Sequence, residues 1–83
     1  MTVEAQMRDL LGDVLQLGSR AQALRASSGL LGSLPELDSM AVASVLTGIE
    51  ETFGIVIEDD EISAEIFETF GSLCDFVAQK QLA

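Results

Sequence analysis

The sequence predicts an all-α fold, a four-helix bundle with three longer helices, a short third helix and a long first loop. Three observations carry that prediction. Apolar residues recur at steps of three and four along three separate stretches, the spacing that lines one face of an α-helix. The apolar stock is Leu, Ile, Val and Ala, with four Phe and no Tyr or Trp, which suits packed helices better than a sheet sandwich. The run Ile55-Val56-Ile57 has strand composition, but it has no second strand to pair with and is expected to act as an apolar plug. A chain of 83 residues is read as one domain, 1–83. At that size it buries roughly 60 to 65% of its unfolded surface.

The first helix rests on Val3, Met7, Leu10, Val14 and Leu17, with Leu11 and Leu15 widening the stripe. Thr2 is placed to cap it, Gly18 to end it, and Glu4 and Arg8 lie four apart in the favourable order for an ion pair. Residues 18–37 hold three glycines, four serines and the chain's proline, so they read as a long connection with one irregular turn near Ala21 to Leu24. Leu30, Leu31, Leu34 and Leu37 imply that this connection wraps the core. The second helix opens at Asp38-Ser39-Met40 and runs to Phe53, where Gly54 stops it. At 100° per residue, Val42, Leu46, Ile49 and Phe53 share one side, and Met40, Ser44, Thr47 and Glu51 share the other. Gly48 interrupts this helix at a cost of about 1 kcal/mol relative to alanine. Four acids, Glu58 to Glu61, precede a short third helix containing Ile62 and Ile66, where negative charge meets the positive end of the helix dipole. The last helix begins near Thr69 or Gly71 and offers Phe70, Leu73, Cys74 and Val77 to the core.

The net charge of −10 is unevenly placed. Residues 1–25 carry three acids and three bases, whereas residues 36–79 carry eleven acids and no base. Such a surface repels nucleic acid and anionic membrane and attracts partners with basic patches. One cysteine excludes an internal disulfide framework, and no apolar stretch is long enough to cross a bilayer. The N-terminal segment mixes charges with apolar residues at helical spacing and does not resemble a secretory leader, so the chain is read as soluble and cytoplasmic.

Self-contained catalysis has little to work with. There is no histidine, Cys74 falls on an apolar helix face, and no lysine or arginine is expected near the acidic half to stabilise developing negative charge. No metal site is expected either: the segment from Asp59 lacks the glycine and the final acid of a calcium-binding loop. Ser39 is the remaining candidate for chemistry, and on the tripeptide Asp38-Ser39-Met40 alone a plain helix cap explains it as well. An outward Met40 beside it, with Glu50 and Glu51 along the helix, reads as a docking face.

In order along the chain come "LDSM" opening a helix, "IEETFGI" closing it, an acidic "EDDE" before a short helix, and "TFGSLCDFV" starting the last. With these features, from about Leu30 to Val77, the sequence resembles the acyl carrier protein family. The resemblance implies that Ser39 carries a 4′-phosphopantetheine arm, taken from coenzyme A by a separate phosphopantetheinyl transferase with a divalent metal. The arm's thiol would hold an acyl group as a thioester between partner enzymes of a fatty-acid, polyketide or specialised lipid pathway. The chain would then be a monomeric carrier and not an enzyme. By the same resemblance Glu36, Asp38, Met40, Thr47, Glu50 and Glu51 form the partner face, meeting acyl-loading and acyl-accepting enzymes. Ala41 and Ser44 stand where carriers of fatty-acid synthesis usually show acids, which points to a specialised pathway. The combination "LLGSLPELDSMAV" with "FGIVIEDDEIS" resembles the carriers associated with bacterial exosortase and exopolysaccharide clusters. Two alternatives compete: a peptidyl or aminoacyl carrier, and a small acidic helical adaptor with no prosthetic group.

Overall fold

The computed structural model describes residues 2–82. Helix α1 spans Val3–Val14, α2 Ser39–Phe53 and α3 Phe70–Leu82, with short 3₁₀ segments at Gly18–Ala23, Asp59–Glu61 and Ala64–Phe67. The apolar stripes account for the packing. Met7 and Leu11 of α1, Val45 and Ile49 of α2, and Leu73 and Val77 of α3 meet in one core, which Leu30 and Leu37 of the long connection close. The architecture is the expected bundle of three long helices with a short third element between α2 and α3.

Helix α1 begins as predicted, with the Thr2 hydroxyl accepting the Ala5 amide at 3.1 Å. It ends a turn before Gly18. Leu15 is the last capping residue, and the Leu17 amide donates back to the Gly12 carbonyl at 3.0 Å. That closure needs a left-handed residue between them, and Gln16 supplies it at φ +55°. A residue with a Cβ pays about 1 kcal/mol for that conformation. We therefore expect Gln16→Gly to raise the melting temperature by about 2 to 4 °C, the gain being trimmed by glycine's greater freedom when unfolded. Thermal melts followed by circular dichroism check this, and a lowered midpoint would contradict it.

The expected Glu4–Arg8 pair does not form. The Arg8 Nε instead donates to the Leu24 carbonyl at 3.0 Å, and its guanidinium lies 5.3 Å from the centre of the Phe70 ring. Two unmet demands outweigh an exposed ion pair there: a loop carbonyl without a helical partner, and an aromatic face that attracts a cation. Gly48 likewise has a purpose that propensity does not reveal. A Cβ at that position would stand 2.6 Å from Leu10 Cδ1, so the glycine makes room for the Leu10 side chain of α1.

The long connection wraps the core, but not with every leucine. Leu30 and Leu37 are buried and Leu34 is half-buried, while Leu31 is 45% exposed. Its backbone is sewn to the start of α3. The Leu30 and Leu31 amides donate to the Glu68 and Phe67 carbonyls at 3.2 and 2.9 Å, and the Phe70 and Gly71 amides donate to Ser28 and Ala26 at 2.8 and 2.9 Å. Gly29 and Thr69 thus form an isolated antiparallel bridge, with no longer strand among the described residues. Ile55 and Ile57 plug the core as expected, but Val56 between them points outward.

The third element is short, as expected, but it is two 3₁₀ turns and not one helix. Ser63 lies between them in extended backbone, φ −145° and ψ 161°, which breaks the helical path, and Ile62 before it is left partly exposed. Glu58 and Glu61 cap the first turn reciprocally. Lys80 of α3 grips both oxygens of Glu61 at 2.8 and 2.9 Å. That hydrogen bond holds the Glu61 carboxyl below its ordinary value. Its contribution to the fold is thus present above the unfolded carboxylate range and fades as pH falls through the lowered value. The acidic half is therefore not without cations, contrary to the sequence expectation. Lys80 reaches it from the C-terminal turn and Arg20 from the first connection.

Candidate functional site

The candidate site is the N-terminus of α2. Asp38, not Ser39, caps the helix: its backbone is extended, and its carboxylate accepts the Ala41 amide at 2.8 Å. This division of labour leaves Ser39 as the first helical residue, exposed, its hydroxyl without a hydrogen-bond partner among the described residues. The amides of Ser39 and Met40 also lack partners among the described residues. A nucleophile-bearing side chain therefore stands beside free N–H groups at the positive end of a fifteen-residue helix, where an anion is favoured. Among the described residues no histidine, lysine or cysteine lies within hydrogen-bonding reach of Ser39, so the hydroxyl is presented and not activated by this chain.

The approach to Ser39 is held in three ways. Leu37 is 6% exposed and anchors the backbone in the core. The Leu37 amide donates to the Leu34 carbonyl at 3.0 Å and the Asp38 amide to the Glu36 carbonyl at 3.2 Å. The Glu36 carboxylate is paired with the Arg20 guanidinium, whose hydrogen bond keeps it below the usual carboxylate range.

The residues expected on the partner face divide in two. Asp38, Met40, Thr47 and Glu51 are exposed on α2 or at its start, Met40 to 82%. Thr47 bends its hydroxyl back to the Ala43 carbonyl at 3.1 Å, leaving its methyl to the surface. Glu36 and Glu50 are half-buried and already engaged, Glu36 by Arg20 and Glu50 by the Ile57 amide at 2.8 Å. Ala43, Ser44, Thr47, Gly48 and Glu51 line a shallow groove with Val14. Cys74 is buried, and desolvation first, with Glu4 and Asp75 adding to it, raises its thiol to about 11. It is a core residue and not a nucleophile.

Arg20 is the neighbour of this site that sequence reasoning missed. It lies sixteen residues before Glu36 in a stretch without periodicity, so no spacing rule connects them. The available signal was scarcity: the chain has four cations, and one of them falls in the loop that leads to the serine.

No family model and no curated protein matches the chain. Among solved structures it is similar to the holo acyl carrier protein from Nitrosomonas europaea, determined in solution by NMR. The two are 57% identical, the match covers 98% of this chain and 96% of that one, and the TM-score is 0.90.

Proposed function

Because this chain belongs to the acyl carrier protein family, we propose that Ser39 is its attachment point for 4′-phosphopantetheine and that it ferries an acyl group between partner enzymes in the cytoplasm. The observation that carries the reading is the exposed, unengaged Ser39 hydroxyl at the first position of α2, made free by the Asp38 cap. In loading, Ser39 Oγ attacks the phosphorus next to the pantetheine of coenzyme A and loses its proton to a base of the transferase. The new O–P bond replaces the phosphoanhydride bond, and adenosine 3′,5′-bisphosphate leaves. When attached, the arm supplies a thiol that holds the acyl group as a thioester.

The chain's own part is presentation. The free amides of Ser39 and Met40 favour the new phosphodiester, and Asp38 keeps the first turn wound while adding a negative charge that a basic partner can read. Met40 gives that partner an adaptable apolar contact, with Thr47 and Glu51 continuing the surface along α2. A carrier of this kind is a substrate of its partners and not an enzyme. The thin charge on the outward face of α2, where Ser44 is exposed beside a single exposed acid of the helix, Glu51, supports a specialised lipid or polysaccharide-linked pathway over bulk fatty-acid synthesis.

Intact mass after incubation with coenzyme A, magnesium and a broad-specificity transferase tests the reading. The expected result is a gain of one phosphopantetheine in the wild type and none in Ser39→Ala. No gain in the wild type, beside a control carrier that loads, would overturn it. Mass analysis of material purified from its native cell then separates an acyl from an aminoacyl cargo.

A further inference from the structure

The Arg20–Glu36 pair has the wrong properties for a stabilising bridge. The two side chains are 56% and 29% exposed, and ion pairs so open to water add little to a fold. Its placement is specific, however. The Arg20 guanidinium spans the Leu17 carbonyl, at 3.4 Å from Nε, and the Glu36 carboxylate, so it ties the start of the first 3₁₀ segment to the residue three before Ser39. The second carboxylate oxygen, Oε1, is shut off from solvent with no partner among the described residues, which leaves Arg20 as the group that compensates this charge.

From Glu36 the restraint runs to the serine without a break. The Glu36 carbonyl accepts the Asp38 amide, the Asp38 carboxylate caps α2 through Ala41, and Ser39 is the next residue. We propose that Arg20 is a positioning residue for the loading of Ser39. It acts as a strap that fixes Glu36, and through it the Asp38 cap, so that the hydroxyl meets the incoming phosphorus in a reproducible direction. The inference rests on Ser39 being the attachment point. It also assigns Glu36 an internal task in place of direct partner contact.

The strap makes a prediction that a docking contact does not. Misdirection of a nucleophile inside a formed complex lowers turnover, whereas loss of a partner contact weakens binding. Phosphopantetheinylation rates would be measured for apo wild type, Arg20→Gln, Glu36→Gln, the double Gln variant and the exchanged pair Arg20→Glu/Glu36→Arg. The expected result is a fall in kcat of about tenfold in both single variants with KM for the carrier little changed. The double variant is expected to be no worse than either single, and the exchanged pair to recover most of the rate. Melting temperatures should stay close to wild type throughout, and amide resonances of Leu37 to Met40 should move in Arg20→Gln.

Three outcomes would overturn the strap. One is full loading of Arg20→Gln with unmoved resonances. Another is a rise in KM confined to Glu36→Gln, which would make Glu36 a direct contact. The third is faster loading in Glu36→Gln, which would make the pair's only effect the screening of charge. If the wild type itself does not load, the reading of Ser39 fails and not the strap, and the resonance shifts still report whether Arg20 orders the approach.

Discussion

Phe70→Ala is expected to remove a large share of the stability of this protein. The ring is 1% exposed, lies at the first position of α3, and carries the Arg8 guanidinium 5.3 Å above it. Deleting a buried Phe side chain costs about 3 to 5 kcal/mol through lost transfer energy and the cavity left behind. A chain of this length has only about 4 to 12 kcal/mol in total. The melting midpoint is thus expected to fall by about 15 °C or more, and a fraction of molecules to be unfolded at ordinary temperature. Phe70→Leu, which keeps much of the volume, should cost about 1 kcal/mol. Denaturant titration measures both, and a loss below that of the leucine variant in Phe70→Ala would show that the core closes without the ring.

Gly71→Ala is the second large effect, and its size comes from backbone geometry. A Cβ at Gly71 would lie 2.8 Å from the Ala26 carbonyl oxygen and 3.1 and 3.2 Å from Ala26 Cβ and Cα. None of these is the free end of a side chain, so the first turn of α3 must draw away from the connection, weakening the 2.9 Å bond from the Gly71 amide to Ala26. Crowding of this kind costs about 1 to 3 kcal/mol. Gly48→Ala makes the informative contrast. There the obstacle is the tip of Leu10, which can turn aside, and alanine gains about 1 kcal/mol of helix propensity. We expect Gly48→Ala to be nearly neutral and Gly71→Ala to be clearly destabilising by thermal melt. Equal effects would mean that the contact at Ala26 does not constrain the fold.

The three long helices were legible in the sequence because each has to bury one apolar stripe, and steps of three and four bring side chains to one side only when the backbone is helical. The start of α2 was legible for a related reason: Asp38 and Ser39 both suit a helix cap, and the ambiguity between them is resolved by the backbone, which turns extended at Asp38 and helical at Ser39. What escaped sequence reasoning depends on where distant backbone meets. Arg8 leaves Glu4 for a loop carbonyl and a ring that only the folded chain brings near. Ser63 splits the third element because its backbone is extended, and serine alone does not announce that. Arg20 and Glu36 find each other across a stretch whose path no periodicity describes. The candidate serine stood out because it belongs to a motif, whereas the groups that hold its approach belong to the tertiary fold.

The stitching of the first connection to α3 also bears on the order of assembly. The bridge between Gly29 and Thr69 joins positions forty residues apart, 69 less 29. Within α1 and α2 each backbone bond closes a single turn, so the bridge carries a loop-closure entropy that those helices do not. A contact of that range slows folding relative to bundles built from neighbouring hairpins. The amides of Leu30, Leu31, Phe70 and Gly71 are therefore expected to exchange as one group, protected or released together. Ser39 follows the connection that this clasp fastens, so the contacts that tie the connection to α3 also fix the path to Ser39.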